Sequence, residues 1–167
     1  MLEQLPVIIE PLRLAEAGRQ LHGRLPLAGF SRLAPVLHEM RGEVEVEIEF
    51  GKDELHIAYL RGHLRTRLQL ICQRCLQPMT LPVDAEFALG LVTTDEAADQ
   101  LSVQYEPLMV SGPMDLAGII EDELILAVPF VPLHPMGQCP AQSGQGPHQD
   151  DKAPHPFAVL ARLKQPQ

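Results

Sequence analysis

The stretch RGHLRTRLQLICQRCLQPMT, residues 61–80, carries two patterns that together decide the fold. The first is an alternation, with polar side chains at Arg61, His63, Arg65, Arg67 and Gln69 and leucines at Leu60, Leu64, Leu68 and Leu70. A period of two residues predicts a β-strand with one apolar face and one basic face, the arginine ladder (Arg61, His63, Arg65 and Arg67). The second pattern is the pair Cys72 and Cys75, whose spacing predicts a tight corner before Pro78 starts the returning strand.

The same alternation occurs on both sides of this stretch. Residues 43–50, EVEVEIEF, place four glutamates on one face, the glutamate ladder (Glu43, Glu45, Glu47 and Glu49), and four apolar side chains on the other. Residues 55–59 and 80–91 also alternate, and turns are expected at residues 51–53 and at Gly62. Four alternating runs with short connections predict an antiparallel meander, and residues 105–110 are expected to add a fifth strand.

A helix near residues 115–128 is predicted to cover the apolar face of this sheet. Asp115 is a suitable N-cap, Pro129 ends the helix, and apolar residues recur at helical spacing. Short helices are also expected from Pro11 to Gln20 and from Ser31 to Glu39, with extended segments at residues 5–9 and 23–27. The predicted fold class is therefore α+β, with four or five strands.

The chain is predicted to form one folded domain with a tail. Its 167 residues, of which 46% are hydrophobic, suffice for one core. Residues 1–136 make the predicted α+β domain, and residues 137–155, rich in Gly, Pro, Gln and Ser, are predicted to be a flexible linker. Residues 156–167 predict a short C-terminal helix, which is too short to be stable alone and must dock on the domain or on a partner.

Composition restricts the classes of function. The net charge of −9 argues against a general polyanion binder, because phosphate contacts need clustered Lys and Arg, but it allows a local basic face. No secretory signal and no membrane-spanning apolar run is evident, so a cytoplasmic location is expected. No phosphate-binding loop or nucleophile motif occurs, so neither enzymatic activity nor a small-molecule substrate is expected. The run Glu121, Asp122 and Glu123 is interpreted as a polar helix face.

The cysteines and one histidine suggest a metal site. Cys72 and Cys75 can present two sulfurs to one point, and His134 and Cys139, which follow the predicted helix, complete a set of four zinc ligands. The alternative is that the Cys pair are ordinary thiols in a turn and that Cys139 lies in a loop without a ligand role. A redox role for the Cys pair is less favoured, because no helix follows it to lower a thiol pKa.

The arginine ladder, with Arg74 in the corner, also has two interpretations. It could contact RNA phosphates and orient the protein without reading sequence. It could instead pair with the glutamate ladder, although a strand predicted between the two ladders would separate them by roughly 9–10 Å. Neither interpretation is excluded by the sequence.

Several segments together resemble the YceD family, the large ribosomal RNA subunit accumulation proteins. The resemblance is carried by CQRCLQPMTLPV, TTDEAADQLSVQYEPLMV, MDLAGIIEDELILAVPFVPLHPMGQC and HPFAVLARLK, in that order along the chain. It implies a cytoplasmic, non-enzymatic factor for the synthesis, processing or stability of 23S ribosomal RNA, linked to assembly of the large ribosomal subunit. Residues 141–154, rich in Gly and Gln, depart from relatives that are often more acidic there.

Two modes of action follow as hypotheses. In the first, the protein binds 23S rRNA or its precursor through the arginine ladder and Arg74. In the second, it is an acidic adaptor that binds a basic ribosomal protein or an RNA-processing enzyme, without touching RNA.

Overall fold

The structure is a computed structural model that describes residues 4–140. Its strands and helices, in chain order, are β1 Ile8–Ile9, α1 Pro11–Glu16, β2 Gln20–Pro26, β3 Glu43–Lys52, β4 Ala58–Ile71, β5 Pro78–Val92, α2 Asp95–Asp99, β6 Glu106–Met109, β7 Met114–Asp115 and α3 Leu116–Ala127. Two single turns of 3₁₀ helix, Leu27–Gly29 and Ala34–Val36, lie between β2 and β3. The predicted α+β class is confirmed.

Five strands form a mostly antiparallel sheet in the order β2-β3-β4-β5-β6. The first four strands are antiparallel neighbours, whereas β6 runs parallel to β5. The parallel pairing is possible because residues 93–105, which contain α2, carry the chain back along β5 before β6 begins. β1 and β7 form a separate two-stranded antiparallel pair.

The predicted turn at Gly62 is wrong, because β4 runs without interruption from Ala58 to Ile71. Gly62 pairs with Ile48 on one side and with Phe87 on the other. A Cβ atom at Gly62 would lie 2.1 Å from Cζ of Phe87, so the glycine makes room for an aromatic ring. The predicted strand at residues 55–59 is also mostly wrong, because residues 55–57 lie in the connection between β3 and β4 and only Ala58 and Tyr59 belong to β4.

Because β4 is continuous, no strand lies between the glutamate ladder and the arginine ladder, and the predicted separation of roughly 9–10 Å is wrong. β3 and β4 are direct neighbours, and Glu45, Glu47 and Glu49 lie opposite Arg65, His63 and Arg61 respectively. The fourth strand of the antiparallel set is β2 instead, and it includes most of the segment that was expected to be extended. Acidic and basic side chains therefore alternate across one face of the sheet.

Two short predicted helices differ from the structure. α1 ends at Glu16, because Gly18 takes a left-handed conformation (φ 57°) and turns the chain into β2. No α-helix forms from Ser31 to Glu39, where a single 3₁₀ turn is found at Ala34–Val36. Pro35, which lacks an amide donor, lies inside that turn.

The core lies on the face of the sheet that carries the leucines of β4. α3 begins where the sequence predicts, and the Asp115 carboxylate accepts hydrogen bonds from the amides of Ala117 and Gly118. Its apolar side chains join those of the sheet in one buried cluster that includes Phe30, Phe50, Leu60, Leu64, Leu68, Leu116, Ile120 and Leu124. Among residues 4–140, no helix has the length and apolar character needed to cross a membrane.

The described residues extend four residues past the predicted end of the domain at residue 136. Cys139, three residues beyond the predicted end of the domain, is buried and belongs to the core. Most of the predicted linker at residues 137–155 and the whole predicted helix at 156–167 lie outside the described residues.

Candidate metal centre and the ladder face

The corner after β4 presents two sulfurs inward. The Cys72 amide donates to the Gln77 carbonyl at 3.0 Å, and the Leu76 amide donates to the Cys72 carbonyl at 2.9 Å. These bonds close the turn, and Leu76 completes it with a left-handed φ of 57°, which is uncommon for a side chain with a Cβ. Cys72 is fully buried and Cys75 is half-buried.

The structure brings all four sequence-predicted metal ligands together. The candidate ligand atoms of Cys72, Cys75, His134 and Cys139 all lie within 4.8 Å of one another. Cys75 Sγ is 3.3 Å from His134 Nδ1, and Cys139 is buried beside them. We call this set the Cys/His cluster.

Hydrogen bonds hold the segment after α3 against the corner. The Gln73 amide donates to the Pro132 carbonyl at 2.9 Å. The His134 amide donates to Cys72 Sγ at 3.4 Å. His134 Nε2 lies 3.3 Å from the Pro78 carbonyl, which can only accept, so Nε2 carries the proton and Nδ1 is free to act as a ligand.

The electrostatics of the corner favour a thiolate at Cys72. Burial raises the pKa of this thiol, but backbone amides of Cys75, His134 and Arg74 stabilise the sulfur anion more strongly and bring its pKa to about 5. The pKa of Cys75 is raised, first by burial and further by the neighbouring sulfurs of Cys72 and Cys139. Because adjacent sulfurs oppose a second negative charge, the cluster gains from a bound cation.

The donor set fits zinc. Zinc prefers sulfur and imidazole nitrogen in a tetrahedron, with zinc–sulfur distances of about 2.3 Å and therefore sulfur–sulfur distances of roughly 3.8 Å. Ligand atoms within 4.8 Å of one another need only small side-chain adjustments to reach that arrangement. Four protein ligands leave no position for water or substrate, which is the pattern of structural zinc sites.

The arginine ladder makes many contacts inside the protein. Arg65 lies 3.5 Å from the Glu47 carboxylate and 3.7 Å from that of Asp84. His63 also contacts Asp84, and its hydrogen bond is the main reason that the Asp84 pKa is lowered. Arg67 and Arg74 form no ion pair with the residues that the structure describes.

Arg61 is held by two aromatic rings. Its guanidinium carbon lies 4.5 Å from the centre of the Tyr59 ring and 5.8 Å from that of Tyr105. The two rings are nearly parallel, and their hydroxyls donate to Glu49 at 2.8 Å and to Asp53 at 3.3 Å. Arg61 Nη2 also donates to the Tyr105 hydroxyl at 3.3 Å, so cation–π contact and this hydrogen bond give Arg61 a structural role.

The interpretation of residues 121–123 as a polar helix face is wrong for Glu121, which is 6% exposed. Its Oε1 accepts from the amides of Arg32 at 2.6 Å and Leu33 at 3.0 Å, and its Oε2 accepts from Arg32 Nε at 3.0 Å. The Arg32 guanidinium also donates to the Gly118 carbonyl at 3.0 Å. Nothing in the local sequence distinguishes Glu121 from its neighbours, so sequence reasoning missed this anchor.

Comparison with known proteins decides the family. The model of the family described as large ribosomal RNA subunit accumulation protein YceD matches residues 60–164, which is more than half of the chain. The chain belongs to the YceD family. The large ribosomal RNA subunit accumulation protein YceD of Haemophilus influenzae (strain ATCC 51907 / DSM 11121 / KW20 / Rd) is 33% identical over 169 residues, which cover 97% of each chain. No solved structure matches this chain.

The family match includes the whole Cys/His cluster. In this YceD protein the matched region starts in β4, runs through the corner, β5 and α3, and continues to residue 164. The glutamate ladder in β3 precedes it but lies within the region aligned with the Haemophilus influenzae relative.

Proposed function

We propose that this YceD protein is a non-enzymatic factor that supports the accumulation of the 23S ribosomal RNA of the large ribosomal subunit, through its synthesis, processing or stability. The observation that carries the proposal is the relative of that name, which is 33% identical over 97% of both chains. The four-ligand composition of the Cys/His cluster favours a structural site over a catalytic one.

The cofactor that we propose is one structural zinc ion held by the Cys/His cluster. Protein purified without chelator should contain about one zinc per chain by elemental mass spectrometry. Cys72→Ser should lose the metal, because the buried Cys72 sulfur is one of the four ligands. His56→Asn is the control, since His56 has a left-handed φ of 62° that asparagine tolerates and is not in the cluster. Folded wild-type protein without metal would contradict the zinc proposal.

Of the two modes of action, the geometry favours the acidic adaptor. Two of the three arginines of the ladder are already engaged, Arg65 with carboxylates and Arg61 with two tyrosine rings, whereas Arg67 forms no ion pair with the described residues. A groove of about 710 Å³ crosses β2 to β5, and its charged lining consists of three carboxylates, Glu47, Glu49 and Glu86, and one arginine, Arg61, with His22 and His63 beside them. With a net charge of −9, the chain complements a basic segment of a ribosomal protein or of an RNA-processing enzyme.

Two matched charge reversals separate the adaptor from direct RNA contact. Glu86 and Arg67 are exposed, lie on adjacent strands and form no ion pair with described residues. For an adaptor, Glu86→Lys should lower mature 23S rRNA in cells that contain only the variant, and Arg67→Glu should not. If the protein contacts RNA directly, Arg67→Glu should lower mature 23S rRNA and Glu86→Lys should not. Arg67→Glu should then also reduce, by about one, the slope of the logarithm of the RNA-binding constant against the logarithm of the salt concentration.

Crosslinking in cells, with identification of both RNA and protein partners, tests the shared part of the proposal. We expect crosslinks to a large-subunit assembly protein or to 23S rRNA precursors. Unchanged 23S rRNA in cells that lack this protein would contradict the function itself, whichever surface is used.

A further inference from the structure

A second groove, distinct from the one on the ladder face, lies beside the Cys/His cluster. Its volume is about 640 Å³. It is lined by residues 35–38 from the loop before β3, by Ile71 at the end of β4, by Gln73 from the corner and by residues 128–132 after α3. Nine of these eleven residues are apolar and polar atoms are also exposed among them, so the groove offers apolar side chains interspersed with hydrogen-bonding groups next to the proposed zinc site.

Large apolar side chains at the rim of this groove are exposed to solvent. Phe130 is fully exposed at 103%, and Val131 and Val36 are 52% and 44% exposed. Large apolar side chains clustered around a concavity mark a contact surface, whereas single exposed ones do not. We call this surface the corner groove.

The end of the described chain lies close to the corner groove. Cys139 precedes the last described residue, Pro140, and its sulfur is within 4.8 Å of the sulfur of Cys72. Gln73, the next residue after Cys72, lines the groove and donates its amide to Pro132 at 2.9 Å. Cys139, one residue before the end of the described chain, therefore lies against Cys72, the neighbour of a groove-lining residue.

The chemistry of residues 157–164, FAVLARLK, suits this surface. Six of these eight residues are apolar, and the two charged ones, Arg162 and Lys164, are cations in a chain of net charge −9. The family match extends to residue 164, so this segment belongs to the family's shared region. The 17 residue steps from Pro140 to Phe157 span at most about 56–61 Å, which is ample to reach the groove.

We propose that residues 157–164 of the same chain occupy the corner groove and cover Phe130, Val131 and Val36. A segment of eight residues is too short to form a stable helix in water, and an apolar groove supplies the burial that it needs.

Photocrosslinking of the full-length protein tests the inference. Phe130, which is fully exposed, is replaced by the photoreactive p-benzoylphenylalanine, and the crosslinked peptides are identified by mass spectrometry. We expect an intramolecular crosslink to residues 156–164, with a yield independent of protein concentration. The same probe at Leu55, which is 75% exposed and does not line the groove, should give no such crosslink.

A second pair of variants controls for chance proximity. Leu160→Asp places a charge within the apolar segment and should reduce the crosslink yield at least fivefold. Gln165→Asp, just beyond the segment, should leave the yield unchanged. Crosslinks whose yield rises with concentration and that join two chains would show a second copy in the groove and overturn the inference. Absence of any crosslink to residues 156–164 in the wild-type background would overturn it as well.

Discussion

At the scale of single residues, the contact between Arg32 and Glu121 decides how the loop before β3 is attached to α3. The Glu121 carboxylate accepts hydrogen bonds from two backbone amides and one guanidinium, so one side chain of α3 holds the Arg32–Leu33 part of this loop. Burial raises the pKa of Glu121, but these hydrogen bonds outweigh it and the net pKa is lowered. The carboxylate is therefore charged in the folded protein at neutral pH.

Glu121→Gln should destabilise the protein by about 2 kcal/mol, because hydrogen bonds to a charged acceptor are replaced by weaker ones to an amide. Chemical denaturation at pH 7 measures the change in the free energy of unfolding. Glu123→Gln is the matched control on the same helix. The pKa of Glu123 is raised by burial and by the nearby carboxylates of Glu106 and Asp122, so this change should be neutral or slightly stabilising.

The lowered pKa of Glu121 also predicts a pH dependence. The unfolded chain takes up the proton near the ordinary value of 4.5, and the folded protein takes it up at lower pH. The stabilisation by Glu121 is therefore complete above pH 4.5 and is lost as the pH falls through the folded pKa. Denaturation curves from pH 7 to pH 3 should show a steeper loss of stability in the wild type than in Glu121→Gln. Parallel curves would contradict this.

At the scale of elements, the long strand β4 depends on glycine at a position where the sequence suggested a turn. Gly62 lies in register with Phe87, and a Cβ there would collide with the ring. The same relation recurs at Gly51 with Tyr59 and at Gly90 with Leu101. A large side chain thus packs over each of these glycines and fills the space that a side chain at the glycine position would occupy.

Gly62→Ala should cost about 1–2 kcal/mol, because the added methyl group displaces the Phe87 ring from its packing. The double variant Gly62→Ala with Phe87→Ala should lose less than the sum of the two single variants, since the clash is absent. Thermal unfolding of the four proteins gives the coupling energy. Gly29→Ala, where a Cβ meets nothing within 4 Å, is the control. Additive losses would show that ring and glycine are independent.

At the scale of the whole molecule, the Cys/His cluster joins two regions that are far apart in sequence. Cys75 and His134 are 59 residues apart, and the intervening chain contains β5, β6 and α3. A metal that binds the folded cluster but not the separated ligands stabilises the folded state, and it closes a long loop in doing so.

Removal of the metal should therefore lower the Tm of the protein. A loss of several kcal/mol, at about 2–4 °C per kcal/mol for a chain of this size, corresponds to about 10 °C or more. Differential scanning calorimetry with and without a strong chelator measures this shift, and added zinc should restore the original Tm. Cys72→Ser should show the low Tm with no response to zinc. A wild-type Tm unaffected by chelation would contradict a structural metal.

The sequence by itself determined features that depend on residues close together in the chain. The two-residue alternation marked which side chains of β3, β4 and β5 share a face, and Asp115 with the spacing that follows it located α3. The short spacing of Cys72 and Cys75 marked the corner, and the choice of His134 and Cys139 as further ligands rested on residue type and position alone. Local backbone sterics and periodicity carry this information.

Only the tertiary structure decided which of these elements are neighbours. Alternation gives the face of a strand but not its partner, so the adjacency of the glutamate and arginine ladders could not be read from either one. The direction in which Glu121 points depends on a loop 88 residues away in sequence. The approach of His134 and Cys139 to the corner likewise depends on how the whole chain buries its apolar surface, because burial is non-directional and is satisfied only by the complete fold.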